Sequence, residues 1–342
     1  ARLDAMRVGV VGATGYAGAE VMRLCASHDD LDVVLATGGS NAGKSVSSHV
    51  PALAALYPDT VYAATDALTD ADLDVVFLAL PHGESQAHVP ALVERGVMVV
   101  DLGADFRLRD PADYDAWYGG AHQAPQLLSR AVYGLVERHR GELVGASLIA
   151  APGCYPTATA LAMGPFADAQ WIDTSGVVVN ALSGVSGAGR SASDRLHFPR
   201  LSGNAEAYGL LNHRHTIEMQ RELKVELLFT PHLVPVSRGM LVTAYARLFG
   251  AHNTAEALAL LRETYRNDPC VVVTDEPPSL KDGVGSNLCF VSARVDERTG
   301  WLVVMSSIDN LIKGAAGQAI QAWNVATERP ETMGLPLAGV TP

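Results

Sequence analysis

The stretch Ala151-Pro152-Gly153-Cys154-Tyr155-Pro156-Thr157 sets a thiol between a strand-like run and a helical one. Pro156 suits a helix's first turn, where a missing N–H costs nothing. A cysteine at that point feels the positive end of the helix dipole and nearby main-chain N–H groups, which lower its pKa and can hold an oxyanion. The chemistry indicated is nucleophilic attack on an acyl group. Cys25, Cys270 and Cys289 read instead as inert packing residues. With no CxxC spacing among the four, neither a zinc site nor a disulfide framework is indicated, and a reducing compartment is implied.

A thiolate working on acyl groups needs a proton donor and acceptor within reach, usually histidine. Asn212-His213-Arg214-His215-Thr216-Ile217-Glu218 offers two at the entrance of an expected helix, with Thr216 as a candidate cap. Residues two apart point in different directions, so spacing leaves both His213 and His215 open. Ser183-Gly184-Val185-Ser186-Gly187-Ala188-Gly189-Arg190 follows an expected strand and offers main-chain amides and a guanidinium to phosphate or nicotinamide. Asp105-Phe106-Arg107 offers a second guanidinium. Arginine's planar fork reads phosphate through paired charge-assisted bonds. The plain alternative for each arginine is a surface or interdomain ion pair.

Gly12-Ala13-Thr14-Gly15-Tyr16-Ala17-Gly18 comes directly after the first apolar run and opens into a helical one, which is the context a dinucleotide-binding turn requires. Glycines let the backbone approach a pyrophosphate, and the N–H groups at the helix start hold its charge. The spacing is GxxGxxG instead of GxGxxG, and a glycine-rich turn without a ligand is the alternative. No acid ends the second strand, where one would bind a ribose 2′-hydroxyl and repel a 2′-phosphate. The segment from Thr37 through Ser40 and Lys44 to Ser45 is small, polar and cationic, which suits NADP; a solvated loop is the alternative, above all for Lys44.

The elements that must position these groups change character along the chain. From Arg7 to Leu102, β-branched runs at Val8 to Val11, Val33 to Ala36, Val75 to Leu80 and Val97 to Leu102 alternate with helical stretches at Ala17 to Ser27 and Glu84 to Arg95. Shorter strands are expected near Ala131 to Leu135 and Ser147 to Ala151. That alternation is the mark of βαβ units around a parallel sheet. After a helix at Pro156 to Phe166, strands are expected at Val177 to Leu182, Val225 to Thr230, Met240 to Leu248, Cys289 to Val295 and Leu302 to Ser307, with a helix at Thr254 to Tyr265. This predicts an α+β unit on a mixed or antiparallel sheet. The fold class is therefore α/β: a Rossmann-type dinucleotide-binding domain over 1–152, a second domain over 153–310 that carries Cys154, and an amphipathic helix (Leu311 to Ala326) with a tail, 311–342 together, returning to the first domain.

The whole chain has 342 residues, 48% hydrophobic and 18% charged, ample for two cores. Its net charge of -12, from 37 acidic and 25 basic residues with no basic run, opposes a nucleic-acid partner. No segment has the roughly 18 uncharged apolar residues a membrane span needs. Ala1 to Val11 lacks the features of a signal or transit peptide, so the cytoplasm is expected, with Met6 a candidate start and Ala1 to Ala5 an upstream extension.

Taken in order, VGATGYAGAE (Val11 to Glu20), FLALPHG (Phe77 to Gly83), DLGADFRL (Asp101 to Leu108), APGCYPTA (Ala151 to Ala158), SGVSGAGR (Ser183 to Arg190), HRHTIE (His213 to Glu218), FTPHLVPVSRGM (Phe229 to Met240) and DNLIKGAAGQA (Asp309 to Ala319) resemble the N-acetyl-gamma-glutamyl-phosphate reductases, and more distantly the aspartate-semialdehyde dehydrogenases. The resemblance covers nearly the whole chain. It implies that Cys154 attacks a γ-acyl phosphate, phosphate leaves, and NADPH reduces the thioester to a semialdehyde. It further implies His215 as acid/base catalyst, since a Thr and a helix start follow it, with His213 beside it. Arg107, Arg190 and Tyr208 are implied as substrate contacts. Gly12, Thr14, Gly15, Tyr16, Ala17, Ser40, Lys44, Pro81, Ser186, Gly187, Asn310 and Lys313 are implied as cofactor contacts. No metal is expected; the resemblance also implies homo-oligomers, dimers or tetramers, built through the sheet of 153–310 as the catalytic and oligomerisation domain. The sequence departs from the family at Ile217 and Val136, where proline is common. Two other readings stand beside this one: a sister reductase of aspartyl phosphate or carrier-bound aminoadipyl phosphate, and a non-catalytic NADP-binding regulatory protein.

Overall fold

The computed structural model describes residues 5–340, so the expectation for Ala1 to Asp4 lies outside the described residues. The chain divides into two units, 5–152 with 315–335 and 153–314 with 336–340.

In the first unit, strands β1 (Met6–Val11), β2 (Leu31–Ala36), β3 (Val75–Leu78), β4 (Met98–Asp101), β5 (Val132–Tyr133) and β6 (Leu148–Ala150) form one sheet in the order β2-β1-β3-β4-β6-β5, every pair parallel. Side chains alternate across a strand, and two hydrophobic clusters divide them accordingly: Val75 and Phe77 fall in one, Val76 and Leu78 in the other. Both faces are covered over β3 and β6, which is why those strands are apolar and buried throughout, whereas the edge strand β2 carries Asp32 and exposes Val34. One cover is the helix Tyr16–Ala26, and another is Gly317–Ala326, whose Trp323 is fully buried and whose Gln318 Nε2 donates to Gly134 O at 2.8 Å.

Three expectations for this unit need correction. The helix expected over Glu84 to Arg95 is a 3₁₀ turn at Ser85–Ala87 followed by the helix Val89–Glu94, with Pro90 in its opening turn; proline has no N–H to carry an earlier helix through that point. The segment Leu311 to Ala326 is not one amphipathic helix. It is a π-helical turn, Ile312–Ala316, running into Gly317–Ala326, which is buried along its whole length. Nor does 311–342 return whole to the first unit: 311–314 and 336–340 group with the second, where Val340 N–H donates to Val284 O and Asn287 N–H to Pro336 O. The helices Pro111–Tyr118, capped by Asp110 on the Ala112 N–H, and Val136–Leu143 were not expected.

In the second unit, β7 (Val177–Gly184), β8 (Glu206–Ala207), β9 (Leu227–Val234), β10 (Met240–Arg247), β11 (Val271–Val273), β12 (Cys289–Asp296) and β13 (Trp301–Ile308) make a mixed sheet in the order β11-β12-β13-β10-β7-β9-β8. The β7–β9 and β11–β12 pairs are parallel and the rest antiparallel. Packed against the sheet is the helix Cys154–Asp168, buried without a break from Tyr155 to Phe166, as its apolar character on all sides dictates. Pro165 lies inside it and has no N–H for the carbonyl one turn back at Leu161. The Tyr265 hydroxyl supplies the missing donor at 2.6 Å.

Candidate active site

The helix begins at Cys154, two residues ahead of the expected start, so the cysteine is its first residue and Gly153 is its N-cap (φ -70, ψ 157). Thr157 closes the first turn, its N–H and hydroxyl donating to Gly153 O at 2.9 and 3.0 Å. The Gly153 N–H donates at 2.8 Å to Oε1 of Glu218, a buried carboxylate on the helix His215–Leu223. Glu218 thus ties the helix that starts with Cys154 to the helix that starts with His215. It stood in plain view within HRHTIE, but nothing in its spacing announced that role.

Cys154 is partly exposed, whereas Cys25, Cys270 and Cys289 are buried, none of the four is in a disulfide, and burial pushes the Cys25 thiol far up. Cys154 lines a cavity of about 460 Å³ together with Tyr155, Tyr208, His213, His215 and Arg195. Gly314 presses on its back. A β-carbon at Gly314 would stand 2.7 Å from Cys154 Cβ and 3.2 Å from Cys154 Cα, so glycine there is what leaves room for the cysteine.

The two histidines are not equivalent. His213 sits among the rings of Tyr155, Tyr208 and Phe229, with centroids 5.5, 5.6 and 5.3 Å away, and its Nδ1 accepts the His215 N–H at 3.2 Å. Burial, reinforced by the charge of Arg214, lowers its pKa to about 4. His213 is therefore neutral at pH 7. With Nδ1 serving as acceptor, the remaining proton is on Nε2. His215 is the first helical residue, its ring 4.9 Å from that of His213 and 5.9 Å from that of Tyr155. Thr216 is no cap: the chain is already helical at Arg214 (φ -54, ψ -32), and the Thr216 N–H donates to His213 O. The Tyr155 and Tyr208 hydroxyls are 2.9 Å apart; burial pushes both pKa values up, Tyr208's to about 12, so both keep their protons.

Of the other residues singled out by sequence, Gly187 lines the same cavity, but Arg190 is exposed and not among its lining residues. Arg195, five residues on and unmarked by any motif, is on the wall instead. Asn310 is a clamp: its Nδ2 donates to Ser186 Oγ and its Oδ1 accepts the Gly239 N–H, each at 2.9 Å, which fixes the turn after β7. Lys313 is fully buried.

In the first unit, Gly12 has φ +81 and an added β-carbon would meet Ala79 O at 2.4 Å; one at Gly18 would meet Gly12 O at 2.3 Å. The first and third glycines of the loop are thus fixed by turn geometry and by helix-on-strand packing. Gly15 is the N-cap of Tyr16–Ala26. At the end of β2 Thr37 is buried where an acid would stand, its Oγ1 accepting the Gly12 N–H at 3.2 Å. Ser40 and Lys44 are exposed, with Lys44 Nζ on Asn41 Oδ1, and Pro81 is exposed just beyond β3. Arg107 spends Nε and Nη2 on main-chain carbonyls, Ala151 O at 2.8 Å and Leu102 O at 2.9 Å. Among the described residues no group of three His, Cys, Asp or Glu side chains could hold a metal ion, and no helix is long and apolar enough to cross a membrane.

Residues 7–146 match the model of the semialdehyde dehydrogenase NAD binding domain, and 154–310 that of the semialdehyde dehydrogenase dimerisation domain. The N-acetyl-gamma-glutamyl-phosphate reductase of Symbiobacterium thermophilum is 45% identical over 98% of both chains. That of Dehalococcoides mccartyi is 43% identical over 98% of this chain and 99% of the relative. The chain belongs to the N-acetyl-gamma-glutamyl-phosphate reductase family. Its fold is also that of aspartate semialdehyde dehydrogenase II from Vibrio cholerae (TM-score 0.71, 17% identity, 94% of this chain and 98% of that one) and of the Candida albicans enzyme solved with NADP (TM-score 0.68, 17% identity, with the same coverage). The two departures from the reductase pattern are harmless for a shared reason. Val136 and Ile217 both lie in a helix's first turn, where the N–H has no helical partner and proline or a branched residue serves equally.

Proposed function

We propose that the chain reduces N-acetyl-gamma-glutamyl phosphate to the semialdehyde with release of phosphate, a step of arginine biosynthesis, through a thioester on Cys154. The observation that carries this reading is a partly exposed cysteine at the first position of a buried helix, in one cavity with two histidines, of which burial keeps His213 neutral. Free carboxylates resist hydride reduction, whereas a thioester is electrophilic and holds its carbon in place.

His215 takes the thiol proton. The sulfur attacks the acyl carbon, main-chain N–H groups at the start of Cys154–Asp168 steady the oxyanion, and inorganic phosphate leaves with the carbon–oxygen bond's electron pair. After reduction the carbon–sulfur bond breaks, the aldehyde departs, and His215 returns its proton to sulfur. His213 stays neutral and orients the His215 backbone through Nδ1. The glycine loop, with Gly15 at a helix start and Thr37 in place of an acid, fits a dinucleotide bearing a 2′-phosphate, and Thr14, Tyr16, Ala17, Ser40, Lys44 and Pro81 would flank it. When bound, NADPH supplies the hydride. Arg107 serves by holding the ends of β4 and β6, and Tyr208 by contacting substrate. Four cysteines outside any disulfide suit the cytoplasm, and the dimerisation domain suits a homodimer or tetramer.

The test is to mix the enzyme with N-acetyl-gamma-glutamyl phosphate without reduced cofactor and digest it. The expected result is an acyl adduct on Cys154, phosphate released in equal amount, and neither with Cys154→Ser. Full turnover by that variant would end the proposal. Phosphate-dependent NADP reduction with aspartate semialdehyde outpacing that with N-acetylglutamate semialdehyde would favour the sister reductase.

A further inference from the structure

Every side chain that the scheme above uses to form the thioester belongs to the second unit. Cys154, the helix it begins, His213, His215 and the cavity of about 460 Å³ all lie within 153–314, whereas the glycine loop at 12–18 lies in the first unit. Exchanging a carbon–oxygen bond for a carbon–sulfur bond takes no electrons from a cofactor, so Cys154 can be acylated without a dinucleotide. The fate of the thioester then depends on what reaches it. Cys154 and His215 are both partly exposed and line one cavity, so water has access to the sulfur and to the imidazole alike. The wall beside them is polar enough to hold water. Tyr155 and Tyr208 keep their hydroxyl protons and stand 2.9 Å apart, and Ser193 and Asn212 add further polar groups. Two hydroxyls paired in this way share one hydrogen bond, which leaves one O–H to donate to a water.

We infer that this site has a second activity, the slow hydrolysis of small acyl phosphates and activated carboxylic esters in the absence of dinucleotide. The inference rests on the thioester of the reductase reading above and gives that thioester a second fate. His215, having exchanged its proton with solvent, accepts one from water. The water oxygen bonds to the acyl carbon, the carbon–sulfur bond breaks with its electron pair going to sulfur, and His215 returns the proton there. One water is consumed, a carboxylic acid and the original thiol result, and nothing is oxidised or reduced. The cavity sets the substrate class. A water takes up about 30 Å³, and an acetyl group brings only two carbons into about 460 Å³, so a short acyl chain leaves room for the attack. The second requirement is a leaving group that departs as readily as phosphate, such as a nitrophenolate.

The full chain is mixed with 4-nitrophenyl acetate, without dinucleotide, and nitrophenolate release is followed. The expected trace is a burst equal to the enzyme present and then a slower linear phase, both lost in Cys154→Ser. Acetyl phosphate hydrolysed in water enriched in heavy oxygen should give labelled acetate and unlabelled phosphate, because water enters at the acyl carbon. Acetyl-enzyme freed of excess ester should shed its acetyl group in wild type, and about 10²- to 10⁴-fold more slowly in His215→Asn, the range for loss of a general base. No burst, an adduct that persists in wild type, a linear phase that survives Cys154→Ser, or label in the phosphate would overturn the inference. Failure of N-acetyl-gamma-glutamyl phosphate to acylate Cys154 would instead bring down the reductase reading itself.

Discussion

Replacing Gly314 by alanine tests the cysteine's placement from a residue that carries no functional group. The new β-carbon would stand 2.7 Å from Cys154 Cβ, 3.2 Å from Cys154 Cα and 3.3 Å from Asp309 O. Carbon atoms rest about 3.5–4.0 Å apart, so the cysteine or the 309–314 backbone must yield by roughly 1 Å. Helix Cys154–Asp168 is buried along its length and Gly314 itself is buried, so the exposed thiol end gives first. A reacting atom misplaced by about 1 Å costs on the order of 10²-fold in rate, and the overpacking costs about 1–3 kcal/mol in stability. The expected result is kcat for phosphate-dependent NADP reduction down by about that factor, slower iodoacetamide alkylation of Cys154, and an unchanged dinucleotide Kd. Gly141→Ala is the control: nothing lies within 4 Å of its added β-carbon, and it should keep full activity and lose no stability. Gly314→Ala with kcat and alkylation within twofold of wild type would refute the argument that this glycine seats the nucleophile.

Two further outcomes follow from the second unit. Tyr265→Phe removes the hydroxyl that reaches the buried Leu161 O across from Pro165; stability should fall by about 1–3 kcal/mol, read as a Tm lowered by roughly 2–4 °C per kcal/mol, with kcat unchanged. An unaltered Tm would contradict it. For His213 the folded pKa, about 4, lies below the ordinary 6.5, so protons bind the unfolded chain more readily; its contribution to stability is full above about 6.5 and is lost as pH falls toward 4, by about 3 kcal/mol in all. His213→Asn, which keeps an acceptor for the His215 N–H, should show a flatter urea midpoint over that interval than wild type, and parallel curves would remove the buried-neutral assignment.

The sequence by itself determined what repeats locally. Period-two and helical apolar patterns, a glycine turn after β1 and a proline just past Cys154 are each set by neighbours in the chain, so the parallel sheet, the mixed second sheet and the thiol at a helix start were all readable. Most departures fall where a local signal meets a long-range partner. Pro90 and the π turn at Ile312–Ala316 break helices that apolar spacing alone extends, and a tail expected to return whole to the first unit is divided between the two. The site's inner order was decided by tertiary structure only. That His213 is the neutral, anchored imidazole, that Glu218 holds Gly153 across 65 positions, that Gly314 makes room for Cys154, and that Arg195 instead of Arg190 lines the cavity all depend on contacts between residues far apart in sequence. A motif names the groups that can react; burial and hydrogen bonding, which exist only once the chain has folded, decide which of them carries a proton and which one points at the substrate.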